Sequence, residues 1–183
     1  MRATDSRYAG ERTRFDLAVR MIGHEARTGT IRQCTGFTED RIRKIYLNYF
    51  PGTGAIRRHR GKTPTQIAPF VSSARRQGEA SLLALLFIHR GVVHLDRSGR
   101  RLRAGSEDGV PLGSALCDAF EAYLELHPEP QLSFEWSWNL YRCLVTRREL
   151  QLAWCSVCEG PYVHDAYALD YARCPFCEVK DHA

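Results

Sequence analysis

The chain has 183 residues, a net charge of +5, 44% hydrophobic and 26% charged residues. That is enough to bury one core, or one core with a metal-held annex, and it has the composition of a soluble globular protein. No run of about 18 apolar residues occurs, so no membrane span is expected, and Met1 to Arg7 lacks the apolar stretch of a secretory signal, so a cytoplasmic location is expected.

The positive charge is unevenly spread. Residues 1–62 carry 14 Lys+Arg against 6 Asp+Glu, whereas the remainder carries 12 against 15. Arginine dominates, the only lysines being Lys44, Lys62 and Lys180. A planar guanidinium suits phosphates and guanine edges, so a basic half beside an acidic half fits a nucleic-acid binder. A merely solvated arginine-rich surface is the alternative.

In chain order, residues 1–12 read as a polar, frayed segment. From Arg14 the pattern is helical, with Phe15, Ala18, Val19, Ile22 and Ala26 on one stripe. A short second helix follows over Glu25 to Gln33, broken by Thr35-Gly36-Phe37. Thr38 is an N-cap, with Glu39 and Asp40 in the first turn where the helix dipole favours acids. The helix it opens sets Ile42, Ile45, Tyr46 and Tyr49 on one face and Arg41, Arg43, Lys44 and Asn48 on the others. Two helices, a glycine turn and a basic outer face read as helix-turn-helix-like, with Arg41, Arg43, Lys44 and Asn48 as candidate base contacts. The same pattern also occurs in proteins that bind no DNA. The loop Ile56-Arg-Arg-His-Arg-Gly-Lys62 follows, and Arg57, Arg58, Arg60 and Lys62 are candidate phosphate contacts. A charged linker is the bland reading of it.

Beyond a mixed stretch at Thr65 to Arg76, Glu79 to His89 is the most apolar helix and is expected at the core or a subunit interface. Gly91 to Gly113 reads as a hairpin around Ser98-Gly99 or as a long loop. His89 and His94 lack a third ligand and make a weak metal signal. Ser114 to His127 is an amphipathic helix ended by Pro128 and Pro130, and Ser133 to Leu150 is the next, its Trp136, Trp138 and Tyr141 read as core or interface. Arg147 and Arg148 suit that helix's negative end and lie close in sequence to the cysteines that follow.

Cys155-x2-Cys158 and Cys174-x2-Cys177, separated by fifteen residues, have the spacing of a closed tetrathiolate zinc site. Two intervening residues let a tight turn aim both sulfurs at one ion. The fifteen-residue span is long enough for a short hairpin that joins the pairs. Four sulfurs leave no open position, so the ion is expected to be structural. Its loss is expected to unfold at least residues 150–178. A redox reading would need one CxxC opening a helix inside a βαβ pattern, whereas here there are two, and the flanks Leu150 to Trp154 and Gly160 to Val163 read as short strands and turns. His164 is a fourth ligand only if one cysteine is unused, and Tyr162, Val163 and Tyr171 are expected to cover one side of the site. The scattered Cys34, Cys117 and Cys143 fit a reducing compartment, and Cys34 and Cys143 read as small buried hydrophobes rather than nucleophiles. No phosphate-binding glycine loop, His-Glu-x-x-His or Gly-x-Ser-x-Gly occurs, so no enzyme is expected. The fold expected is mainly α: a basic helix-turn-helix-like region at 1–62, a helical core at 63–149, and a small four-cysteine zinc-binding module at 150–183.

Several stretches resemble the bacterial flagellar transcriptional activator subunit FlhC. They are Tyr123-Leu-Glu-Leu-His-Pro128, Leu144 to Leu152 and the two CxxC pairs with His164 between them. Phe15-Asp-Leu-Ala18, Met21 to Arg27, Arg41 to Tyr46 and Pro64 to Phe70 add to them, so that the resemblance spans most of 14–90 and 115–177. It implies a cytoplasmic DNA-binding subunit that works in a heterohexamer with FlhD, activates flagellar promoters on duplex DNA through RNA polymerase, and ligates one zinc ion with Cys155, Cys158, Cys174 and Cys177. The sequence departs from the family in extra residues at Gly91 to Gly113 and in stopping at Ala183, where the family commonly runs on through a basic tail. An FlhC-like regulator of non-flagellar genes, or a zinc-containing protein–protein adaptor, is the alternative.

Overall fold

A computed structural model of the chain describes residues 3–52, 56, 65–97, 99, 101–105, 109–169 and 171–181. Its first helix, α1, spans Ala3–Gly23. The stretch expected to fray is therefore helical as far back as Ala3. Local support is visible along it: Thr13 Oγ1 donates to Ala9 O at 2.9 Å, Arg12 pairs with Asp16 one turn on at 3.8 Å, and Glu11 meets Arg41. Its buried face is Leu17, Ala18, Met21 and Ile22, with Phe15 and Val19 half-buried. Ala26 is also buried but lies beyond the helix, because Glu25 turns left-handed (φ 59°) and ends the stripe.

Helices α2 (Thr28–Thr35) and α3 (Glu39–Tyr49) pack against α1 and each other. The second begins three residues later than its expected start at Glu25, since Arg27 is extended where the chain leaves the turn. Gly36 closes it in the left-handed region (φ 71°), and Thr38 caps α3 by accepting from Arg41 N at 3.3 Å. Ile42 and Ile45 are buried, and Tyr49 is exposed.

The short helix α4 (Ala68–Val71) leads into α5 (Ala74–His89), capped by Ser73. As its all-round apolarity led one to expect, α5 is central: α4, α6, α7, α8, β1 and β4 all pack on it, and Ala80, Leu83, Ala84 and Phe87 are buried. The hairpin alternative holds for the next stretch. Strands β1 (Val93–Leu95) and β2 (Leu102–Ala104) pair antiparallel with His94 opposite Arg103.

Helix α6 (Val110–Leu126) starts earlier than Ser114 because Pro111 is favoured in a first turn. It is tied to α1 by an ion cluster: Arg20 donates to Asp118 at 2.5 Å and to Glu121 at 2.5 and 2.7 Å, and His24 meets Glu121 at 2.7 Å. Helix α7 (Phe134–Arg142) is shorter than the span to Leu150 anticipated from its pattern. It widens into a π turn over Cys143–Arg147 and stops at Arg148, which is left-handed (φ 58°), so that the chain can reverse into a strand. Trp138 and Tyr141 are buried in the core, and Trp136 meets Phe70 edge-on at 5.6 Å. Strands β3 (Leu150–Trp154) and β4 (Pro161–Asp165) form a second antiparallel hairpin, and α8 (Pro175–Asp181) follows. Leu150, Leu152 and Val163 join the main core, whereas Ala153, Tyr162, Cys155, Cys174 and Cys177 form a small second cluster. Among the described residues no helix is long and apolar enough to cross a membrane.

Candidate metal centre and basic surface

The metal centre begins with the β3–β4 hairpin. Its turn is the first cysteine pair itself, so the strands expected at Leu150 to Trp154 and Gly160 to Val163 pair with each other across Cys155 to Cys158, and the hairpin does not lie wholly within the fifteen-residue span. Cys155 N donates to Gly160 O at 3.0 Å and Glu159 N to Cys155 O at 2.9 Å, with Glu159 left-handed (φ 57°). This knuckle turns both sulfurs to one side. Ser156 N donates to Ala172 O at 2.8 Å and brings the second pair alongside, where Cys174 stands just ahead of α8 and Cys177 lies in its first turn.

The four Sγ atoms lie within 4.8 Å of one another, and Cys158 and Cys174 are 3.8 Å apart. A tetrahedral tetrathiolate with bonds of about 2.3 Å has sulfur–sulfur edges of about 3.8 Å. The four cysteines thus form a cluster able to hold a metal ion. One CxxC does open a helix, as a redox centre would require, but the other pair's sulfurs crowd against it, and among the described residues no βαβ unit surrounds it.

Sulfurs so close cannot all ionise without a cation, and the site divides accordingly. Backbone N–H groups of Cys158, Cys174 and Val157 draw the Cys155 thiol down to about 6, while the neighbouring sulfur of Cys174 and local burial push that of Cys177 up to about 12. Cys174 N and Val157 N approach Cys155 Sγ at 3.3 and 3.4 Å. These amide donors were legible only indirectly, through the two-residue spacing that creates the knuckle.

His164 is not one of the clustered ligands. It is buried, stacks on Tyr171 with ring centroids 5.0 Å apart, and burial lowers its pKa. Tyr162 covers the cysteines and donates to Tyr171 O, but Val163 points the other way, into the main core, as strand alternation requires. Arg147 does not face the thiolates. It donates to Thr65 O at 2.5 Å and pairs with Glu149 at 3.7 Å. Phe176, between the second pair of cysteines, lies on Gly78 of α5, where any β-carbon would collide with its ring.

The candidate DNA contacts divide into three groups. Arg43 and Asn48 are exposed on α3 with no side-chain partner among the described residues. Lys44 is exposed and pairs with Asp40 at 2.9 Å. Arg41 is turned inward, stacked 3.9 Å over the Phe37 ring and paired with Glu11, so contact with a base would first require that arrangement to open. Arg57, Arg58, Arg60 and Lys62 lie outside the described residues.

Fold and site together define a mainly helical protein with a C-terminal four-cysteine metal-binding cluster. No protein-family model and no curated protein matches the chain. The likeness to FlhC therefore rests on the sequence stretches quoted above.

Proposed function

We propose that the four cysteines hold one structural zinc ion and that the chain is the DNA-binding subunit of an FlhC-like transcriptional activator. An FlhD-type subunit would be its partner in a hetero-oligomer, and duplex promoter DNA and RNA polymerase its targets. The observation that carries the reading is α3: a capped helix with Ile42 and Ile45 buried against α1 and α2 while Arg43, Lys44 and Asn48 face outward. A helix so held can present donors to base edges while its neighbours span the backbone. Zinc is favoured for four thiolates at tetrahedral spacing because it needs no redox role and tolerates a closed shell.

Co-expression with an FlhD-type subunit, followed by light scattering and salt-titrated binding to flagellar promoter DNA, tests the reading. A mixed oligomer whose affinity falls steeply with salt and drops on Arg43→Gln supports it. A chain that binds neither FlhD nor DNA refutes it.

A protein–protein adaptor is the second reading, and one observation favours it. Trp154, Val157, Leu169, Tyr171 and Phe176 are all exposed around the metal cluster. A partner captured by the metal-loaded chain, released by Val157→Asp and indifferent to DNA, would support the adaptor.

A further inference from the structure

A second basic site lies away from α3. A cleft of about 300 Å³ opens between the β1–β2 hairpin and the corner that follows α7, lined by Arg101, Arg147, Arg148, Gln151 and Tyr167 over the apolar floor of Leu144. Three arginines line it, and among the described residues no carboxylate does.

The three cations are held differently. Arg147 is fixed, because its guanidinium donates to Thr65 O at 2.5 Å and pairs with Glu149 at 3.7 Å beside the cleft. Arg101 and Arg148 are exposed, and no side-chain hydrogen bond or ion pair engages either among the described residues. Arg148 also sits in the left-handed region (φ 58°), which side-chain-bearing residues rarely adopt. The chain turns at that corner instead of continuing the helix, and Arg148 lines the same cleft as the hairpin's Arg101. Among the described residues only the Arg147 guanidinium has a counter-charge, in Glu149, and a tetrahedral oxyanion would offset the two uncompensated charges of Arg101 and Arg148 with forked hydrogen bonds. Tyr167 and Gln151 add neutral donors. The same hairpin carries Arg97 and Arg103, both exposed and without side-chain partners among the described residues, so positive charge continues beyond the cleft.

We propose that this cleft is a phosphate-binding site, with Arg101 and Arg148 as its mobile clamps and Arg147 as its fixed wall. The phosphate can belong to a nucleic-acid backbone or to a free phosphorylated molecule, and both present the same chemistry. The backbone source rests on the DNA-binding reading above; the site itself does not.

The test uses the full metal-loaded chain and the double variant Arg101→Gln/Arg148→Asn. Asparagine tolerates the left-handed backbone, and Arg147 is kept because it holds Thr65. Single Arg101→Gln serves if the double variant fails to fold. Inorganic phosphate is titrated by calorimetry, and a short duplex by fluorescence anisotropy across salt concentrations. The expected result is phosphate binding weakened about tenfold, with duplex affinity also reduced and its salt slope shallower by about two, one for each backbone contact removed. Weakened phosphate binding with unchanged duplex affinity also supports the site and assigns it a free phosphorylated ligand. A wild-type chain that binds phosphate but no duplex would sink the reading of α3 and leave the cleft standing. Phosphate binding that is absent in the wild type, or equal in wild type and variant, overturns the proposal.

Discussion

Glu79 is buried in α5 at 2% exposure, and its carboxylate is shared among four groups. Tyr123 Oη donates to it at 2.5 Å, Gln131 N at 2.9 Å and Arg75 Nε at 3.4 Å, and His127 lies at 3.6 Å. Burial alone would raise the Glu79 pKa, but these donors outweigh it and hold the carboxyl below its ordinary value. Burial and the same hydrogen bond push the Tyr123 hydroxyl upward. Glu79→Leu would leave the Tyr123 hydroxyl and the Gln131 amide without their acceptor, and each such orphan costs about 1–3 kcal/mol. A drop in the urea midpoint with unchanged slope is the expected outcome. The scattered thiols follow the same logic: burial pushes Cys117 and Cys143 up to about 12. In the native chain stripped of metal, iodoacetamide at neutral pH is expected to leave both unmodified, which peptide mass mapping checks.

Helix-to-helix contacts decide how α6 sits. A β-carbon on Gly113 would stand 2.8 Å from both Cys34 Cβ and Leu17 Cδ2, so α6 approaches α1 and α2 only because that side chain is missing. Gly113→Ala gains up to about 1 kcal/mol of helix propensity but overpacks the seam at about 1–3 kcal/mol. The steric cost wins because the rigid Cys34 Cβ cannot yield, and a net loss is expected in thermal unfolding. The α1–α6 ion cluster gives a pH signature. Hydrogen bonding from Arg20, against the opposing effect of burial and with further help from His24, lowers the Glu121 carboxyl from about 4.5 to about 2. A folded pKa below the unfolded one stabilises the fold at pH above about 4.5, and that contribution disappears as pH falls toward 2. Glu121 is partly exposed, so solvent screening trims the effect. Glu121→Gln is expected to flatten the acid limb of a stability–pH curve, and an unchanged limb would show that the cluster carries no linkage.

At the scale of the molecule, the metal cluster is attached to the helical core through the β3–β4 sheet and through α8, both packed on α5. Gln77 Nε2 donates to Val163 O at 2.8 Å and Ser81 Oγ accepts from Val163 N at 2.9 Å, so α5 grips the middle of β4 from the side opposite the cysteines. This grip predicts that the middle of β4 outlasts the ion, whereas the sequence leads to the expectation that at least residues 150–178 unfold. Metal extraction, or Cys158→Ser, is expected to release the knuckle at 155–160 and residues 171–181, while the amide of Val163 stays protected in hydrogen exchange. Gly78 is the other point of attachment. Gly78→Ala would displace the Phe176 ring while adding helix propensity to α5, so faster loss of metal to a chelator with little change in the core's melting is expected.

The sequence alone determined whatever is encoded over a few neighbouring residues. The x2 spacings aim paired sulfurs, Thr38 caps α3, and the apolar run of 82–88 makes a core helix. Each of these depends on contacts within about one turn. The tertiary structure alone decided where remote stretches meet. Packing turned Arg41 inward onto Phe37 and Glu11, and sent Val163 into the core while Tyr162 faced the cysteines. The need to reverse into β3 stopped the helix after α7 at Arg148, which no periodicity marks, and the same corner set Arg148 on a cleft that Arg101 also lines. A periodic pattern specifies which face of an element is apolar, but not which partner covers that face. Only the packed chain, with burial and charge satisfied together, does that.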